Sequence, residues 1–291
     1  MIMDLLTGYA DVNDARLYYE TAGAGSALVF IHGLGADGRV WDAQVDFFTR
    51  RGQVIRYDLR GFGRSTLPGE GQPYSHIADL LALLDSLGLP SATLVGHSLG
   101  GAIALDFALS YPEATQALVL VDSVMSGFEM SQAWKDSWEP VYSQAAVGGM
   151  AAALPILLEH PLFSPANTQP AVASRLAEIL SDYLGWHTMH ADPAIELDPP
   201  AIQRLCEVHA PTLVVVGEKD LNDFHVIASL LANNIPGARQ VLVPGAGHVL
   251  PMEAPDRFNH LLSGFLAGIG SGDKRQYAGQ PHSNELTSQI Y

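Results

Sequence analysis

Six short apolar runs, each set off from the next by a helix-like stretch, restrict the choice of fold more than any other feature of this chain. They fall at residues 27–31 (ALVFI), 53–57 (QVIRY), 92–95 (ATLV), 117–121 (ALVLV), 212–216 (TLVVV) and 240–243 (QVLV), and residues 16–20 (RLYYE) add a further candidate. Runs of four or five residues rich in Val, Leu and Ile are short for buried helices and read as strands. Between them, Trp41, Val45 and Phe48 recur at helical spacing. Residues 77–87 form an amphipathic stretch, with Ser75 as a capping candidate and Gly88 as a stop. Strands that are apolar on both faces need cover on both faces, and helices returning between them supply it. The expectation is an α/β sandwich around a mainly parallel sheet.

The interval from 124 to 206 breaks the alternation. It has no strong strand run and carries Met125, Met130, Trp134, Trp138, Met150, Trp186 and Met189 among helical stretches cut short by prolines such as Pro140 and Pro155. A helical insertion at the carboxyl ends of the strands, serving as a lid, accounts for this. Packing within the lid explains its Trp and Met content as readily as pocket lining does. The organisation expected is therefore a core in two parts, residues 1–123 and 207–270, around an inserted cap at 124–206. A polar tail without periodicity occupies 271–291.

Charge narrows the partners. A net charge of −16 argues against nucleic acid and anionic membrane surfaces, whose phosphates it would repel. No apolar run reads as long enough to span a membrane, and the first residues lack the basic start and apolar core of a secretory signal. Cys206 is the only cysteine, so neither an intrachain disulfide nor a thiolate metal cluster is available, which suits a reducing cytoplasm.

The stretch Gly96-His97-Ser98-Leu99-Gly100 lies between the run at 92–95 and an Ala-rich helical stretch at 102–109. A serine flanked by glycines at a strand-to-helix junction fits a nucleophile elbow, although an ordinary glycine-rich turn has the same letters. A serine hydroxyl needs a base, and the base needs an orienting acid. Gly245-Ala246-Gly247-His248 follows the last strand run, and Gly217-Glu218-Lys219-Asp220 follows the one before it. Serine, acid and histidine thus reach the carboxyl edge of one sheet in the chain order Ser98, Asp220, His248. Asp122 also closes a strand there and Asp223 lies nearby, so the acid has three candidates. His32-Gly33-Leu34-Gly35 follows another strand run. Its small residues would let the N–H of Leu34 join that of Leu99 in an oxyanion hole. The segment 58–65 (DLRGFGRS) reads as a polar-braced turn, since it lacks the Gly-Lys-Ser/Thr ending of a phosphate loop.

These motifs, together with 253–258 (EAPDRF), resemble the α/β-hydrolase superfamily over about residues 17–266, the cap being matched only in position. The resemblance implies a mostly parallel central sheet of about eight strands with an inserted helical cap. It also implies a serine triad of Ser98, Asp220 and His248 that needs no metal or organic cofactor. Ser98 at the nucleophile position disfavours the aspartate-nucleophile branches. A small or medium apolar carboxylic ester or lactone is the preferred substrate, with Trp134, Trp138, Trp186 and Met189 as candidate pocket residues under the lid. Three alternatives stay open: carbon–carbon bond hydrolysis on the same triad, a cofactor-free lyase or perhydrolase, and a ligand-binding receptor on a hydrolase scaffold.

Overall fold

The computed structural model describes residues 5–270, so the polar tail expected at 271–291 lies outside the described residues. Eight strands form one sheet: β1 (Leu6–Val12), β2 (Ala15–Ala22), β3 (Ala27–Ile31), β4 (Gln53–Tyr57), β5 (Ala92–His97), β6 (Thr115–Val121), β7 (Thr212–Gly217) and β8 (Arg239–Val243). Their order is β1-β2-β4-β3-β5-β6-β7-β8. The β1–β2 and β2–β4 pairs are antiparallel, and the pairs from β4 to β8 are parallel. The strand β1 was not anticipated. Asn13 and Asp14, at φ 42° and 64°, make the two-residue turn that folds β1 onto β2. Left-handed Asn and Asp between two strands are a hairpin signal that the sequence did carry.

The chain runs from β3 outward to β4 and then returns past β3 to lay down β5. Loops leaving β3 and β5 therefore diverge, and a crevice opens between them at the carboxyl edge, where open parallel sheets collect their ligands.

Helices α1 (Asp42–Phe48), α2 (His76–Ser86) and α3 (Leu99–Ser110) cover the first half of the sheet. Ser75 caps α2, its Oγ accepting from the Ala78 N–H at 3.3 Å, and Gly88 at φ 69° follows its end. Four helices, α4 (Gln132–Leu158), α5 (Ser164–Asn167), α6 (Pro170–Ser181) and α7 (Trp186–Met189), lie between β6 and β7. Three more, α8 (Asn222–Asn234), α9 (Leu250–Glu253) and α10 (Pro255–Gly270), complete the chain. Period-two alternation along the strands sorts the core into two layers. Val29, Ile31, Leu94, Leu118 and Val214 point towards α2, α3 and α8. Leu28, Phe30, Val95, Val119 and Leu213 point towards α1 and α10. Val141, Ala145, Ala153 and Leu157 of α4 join the first of these cores without a break.

One helix, α4, is long and apolar enough to cross a membrane by length and composition, with a mean hydropathy of 1.5 over its most apolar stretch. The sequence reading, which saw no such run, is corrected on that point. Gly149 adopts φ 72° and ψ 179° inside α4 and divides it into residues 132–148 and 150–158, both shorter than the roughly 20 residues of a typical span.

Candidate active site

Ser98 sits at the junction of β5 and α3 with φ 53° and ψ −115°. A non-glycine residue in such a region costs on the order of 1–3 kcal/mol and persists only where its surroundings enforce it. Here the surroundings are backbone. A Cβ on Gly96 would stand 2.1 Å from the Gly100 oxygen, and one on Gly100 would stand 2.2 Å from the Ile31 oxygen. Both positions therefore need glycine. The Ser98 N–H donates to the Val121 oxygen at 3.0 Å, tying the turn to β6.

Leu34 and Leu99 line the same cavity, and each has a backbone N–H without a protein acceptor. The Leu99 N–H opens α3, where no intrahelical acceptor exists, and the Leu34 N–H makes no hydrogen bond to the protein. His32 holds the loop carrying Leu34. Its Nε2 accepts from the Leu59 N–H at 2.9 Å, which leaves its Nδ1–H to donate to the Gly33 oxygen at 2.8 Å. Burial pushes the His32 pKa down, keeping the ring neutral in that tautomer.

The loop after β8 brings His248 to Asp220, in the loop after β7. His248 Nδ1–H donates to Asp220 Oδ2 at 2.9 Å, and the two side chains are 3% and 0% exposed. Asp220 Oδ1 accepts from the Leu221 N–H at 2.7 Å. Of the three carboxylates weighed from the sequence, Asp220 alone meets the imidazole. Asp223 instead accepts from the N–H and Oγ of Ser131, the cap of α4. Asp122 is buried at φ 44° and accepts from the Gly217 N–H at 2.8 Å.

Two further residues, given no role in the sequence reading, steady His248. Glu253 accepts from the N–H of Gly247 at 2.7 Å and of Val249 at 2.9 Å, pinning the backbone on both sides of the histidine. His97 donates its Nε2–H to the His248 oxygen at 2.7 Å, and burial drives its pKa down to about 3. Both roles are carried by backbone contacts of a loop, and no sequence spacing encodes them.

Ser98, His248 and His97 form the polar floor of a cavity of about 160 Å³, whose other walls are apolar. Leu34, Leu99, Val124, Trp134, Trp138, Phe163 and Leu180 are among them. Ser98 and His248 line the same cavity and make no hydrogen bond to each other; nucleophile–base contacts of this kind commonly tighten only in the Michaelis complex. Trp134 and Trp138, expected to line the pocket, do so. Trp186 and Met189, expected there too, do not. Trp186 is buried against His190, the rings stacked at 5.1 Å, and Met189 is 41% exposed. Both lie on the short α7, which contributes no residue to the cavity lining.

His160 braces the tryptophan wall. Its ring lies 4.4 Å from that of Trp138, Nδ1 accepts from the Leu162 N–H at 3.2 Å, and Nε2 faces Ser137 Oγ at 3.0 Å. Burial lowers its pKa from 6.5 to about 4. A histidine with a depressed folded value contributes stability above its unfolded value, and that contribution is lost as pH falls towards the folded one. His160→Asn keeps an acceptor for Leu162 but carries no titrating ring. Its stability deficit, roughly 1–3 kcal/mol at pH 7, is expected to narrow as pH falls from about 6.5 to about 4. Urea unfolding of both proteins across that range measures it, and a deficit independent of pH refutes the neutral buried ring.

A strained serine turn, a buried Asp–His pair and backbone donors without protein acceptors, all at the carboxyl edge of a mostly parallel sheet, define the class. The chain belongs to the alpha/beta hydrolase family, whose model matches residues 28–261. Among curated relatives, the "Putative carbamate hydrolase RutD" of Azorhizobium caulinodans is 29% identical over 262 residues, covering 90% of this chain and 98% of that one. Among solved structures, Est816, described as an N-acyl homoserine lactone degrading enzyme, is 30% identical with a TM-score of 0.73, covering 89% of this chain and all of that one. The enol-lactonase of Burkholderia xenovorans LB400 is 25% identical with a TM-score of 0.75, with the same coverage. These relatives are hydrolases acting on small molecules.

Proposed function

We propose that this protein is a serine hydrolase that cleaves a small, largely apolar carboxylic ester or lactone through an acyl-enzyme. The observation that carries the reading is the 2.9 Å hydrogen bond from His248 to Asp220, set beside Ser98 at the floor of an apolar cavity. With Nδ1–H committed to Asp220, the Nε2 lone pair of His248 accepts the Ser98 proton as Oγ attacks the carbonyl carbon. The N–H groups of Leu34 and Leu99 receive the oxyanion. Collapse of the tetrahedral intermediate breaks the C–O bond, and His248 Nε2–H protonates the departing alkoxide or enolate. His248 then takes a proton from water, which attacks the acyl-enzyme, and Ser98 regains its proton as the acid leaves. From a lactone the two products remain one molecule, a hydroxy acid, or from an enol lactone the keto acid to which the released enol tautomerises. Two solved relatives described by lactone substrates support that substrate class.

A cavity of about 160 Å³ is smaller than the space drug-sized ligands occupy and favours a short acyl group under the Trp134 and Trp138 wall. Butyryl esters are expected to exceed decanoyl esters in kcat/KM by about tenfold or more, because the longer chain has no room without displacing the cap. A fluorophosphonate probe should label Ser98, located by peptide mass spectrometry. Absence of label together with tight binding of a small apolar ligand would make the protein a receptor on this scaffold.

A further inference from the structure

Asp122 is the one carboxyl beside the Asp220–His248 pair that the proposed mechanism leaves without a task. It ends β6 at φ 44°, is 1% exposed, and has one oxygen, Oδ1, satisfied by the Gly217 N–H at 2.8 Å. Its other oxygen, Oδ2, is buried and has no donor within reach. The side chain it meets is that of Asp220, itself buried. Two carboxylates in contact are both acceptors, and the pair is satisfied only when one of them holds a proton and donates it to the other.

Counting donors says which one. Asp220 already accepts two N–H groups, from Leu221 and from His248, whereas Asp122 accepts one. Each donor favours the charged form of the carboxyl it reaches. The proton therefore belongs on Asp122 Oδ2, where it also removes the unpaired buried acceptor. We propose that Asp122 is a positioning residue, a carboxylic acid kept neutral so that its O–H donates to Asp220 and fixes the carboxylate against His248. The proposal rests on the serine-hydrolase reading for its kinetic consequence, not for its structural one.

Burial and the neighbouring Asp220 together raise the Asp122 pKa well above the usual carboxylate range, and Glu253 adds to the effect. These three carboxyls, His248 and the neutral His97 beside it are the titratable groups that bear on the site, from the ends of β5, β6 and β7, from the loop after β8 and from α9. The neutral acid leaves the Asp122–Asp220 pair with a single negative charge, which is what one imidazolium needs. An amide at position 122 reproduces both of its contacts, with one N–H to donate and one oxygen to accept, and asparagine tolerates positive φ.

Infrared spectroscopy reads the proton directly. Wild-type protein at pH 8 should show a protonated-carboxyl C=O stretch that is missing in Asp122→Asn and retained in Ser98→Ala. Retention of every such band in Asp122→Asn overturns the proposal. Kinetics with p-nitrophenyl butyrate supply the second readout. Asp122→Asn should keep kcat/KM within about threefold and leave the acid limb of its pH profile in place. Asp122→Ala, without a donor, should lose about 10- to 100-fold in kcat. Its acid limb should move to higher pH, because an unassisted Asp220 charge binds the imidazolium more tightly. A downward shift of about one pH unit in Asp122→Asn would mean that a negative charge had been removed, and would overturn the neutral assignment. Because the infrared band needs no turnover, failure of this proposal is separable from failure of the serine mechanism, which Ser98→Ala tests.

Discussion

Ser98→Ala is expected to lose ester turnover by about 10³-fold or more while melting at the wild-type temperature. Alanine meets the same backbone restraint at φ 53°, so the glycine-packed turn survives and only the hydroxyl disappears. Binding persists in the apolar cavity, whose walls do not change. The comparison needs kcat/KM on a short-chain ester and a thermal melt of both proteins. Hydrolysis near the wild-type rate in a folded variant would remove Ser98 from the mechanism. Carbon–carbon cleavage or lyase turnover that survived the substitution would assign the principal base to His248 acting alone, the alternative kept open from the sequence.

Asp220→Asn is expected to cost about 10⁴-fold in kcat with little change in stability, a loss of the size known for the amide substitution in a serine protease triad. The structure gives the reason. Asp220 Oδ2 accepts from His248 Nδ1–H, so it fixes the tautomer in which Nε2 has a free lone pair. An amide that turns its NH2 towards Nδ1 selects the opposite tautomer, and Nε2 can then no longer take the Ser98 proton. Asp223→Asn and Asp122→Asn should cost far less, since Asp223 is engaged with Ser131 and an amide at 122 can keep both contacts. A crippled Asp122→Asn beside an active Asp220→Asn would move the acid one strand earlier.

The parts of this site that were legible in the sequence are those fixed by local geometry. Gly96 and Gly100 announce a serine turn because a Cβ at either position would stand within 2.2 Å of a backbone oxygen, so only glycine fits. Runs of Val and Leu announce the parallel sheet because both of their faces are buried. The preference for Asp220 over Asp122 and Asp223 rested on chain order and on the family resemblance, and nothing in the residues around the three separates them. All three lie near the same edge, and the decision depends on which loop turns its carboxyl towards an imidazole 28 residues further on. Trp134 and Trp138 lie on α4 and line the cavity whereas Trp186 lies on α7 and does not, a difference of tertiary placement that composition does not carry. β1 went unseen because Gly8 and Ala10 leave it without the dense apolar run that marked its neighbours, although the Asn13-Asp14 turn was in view.

Helix α4 shares one hydrophobic core with the sheet face that α2, α3 and α8 cover, and Gly149 interrupts it. A cap joined to its base in this way has no clean plane along which to swing. Admitting a substrate then resembles melting a corner more than opening a door. Val141 and Ala145 on one side of the interruption and Ala153 and Leu157 on the other are all buried in that core. On the proposed function, the threshold for entry past α4 is then the free energy of local unfolding. Warming, mild denaturant and core substitutions far from Ser98 would all tune access in the same currency as global stability.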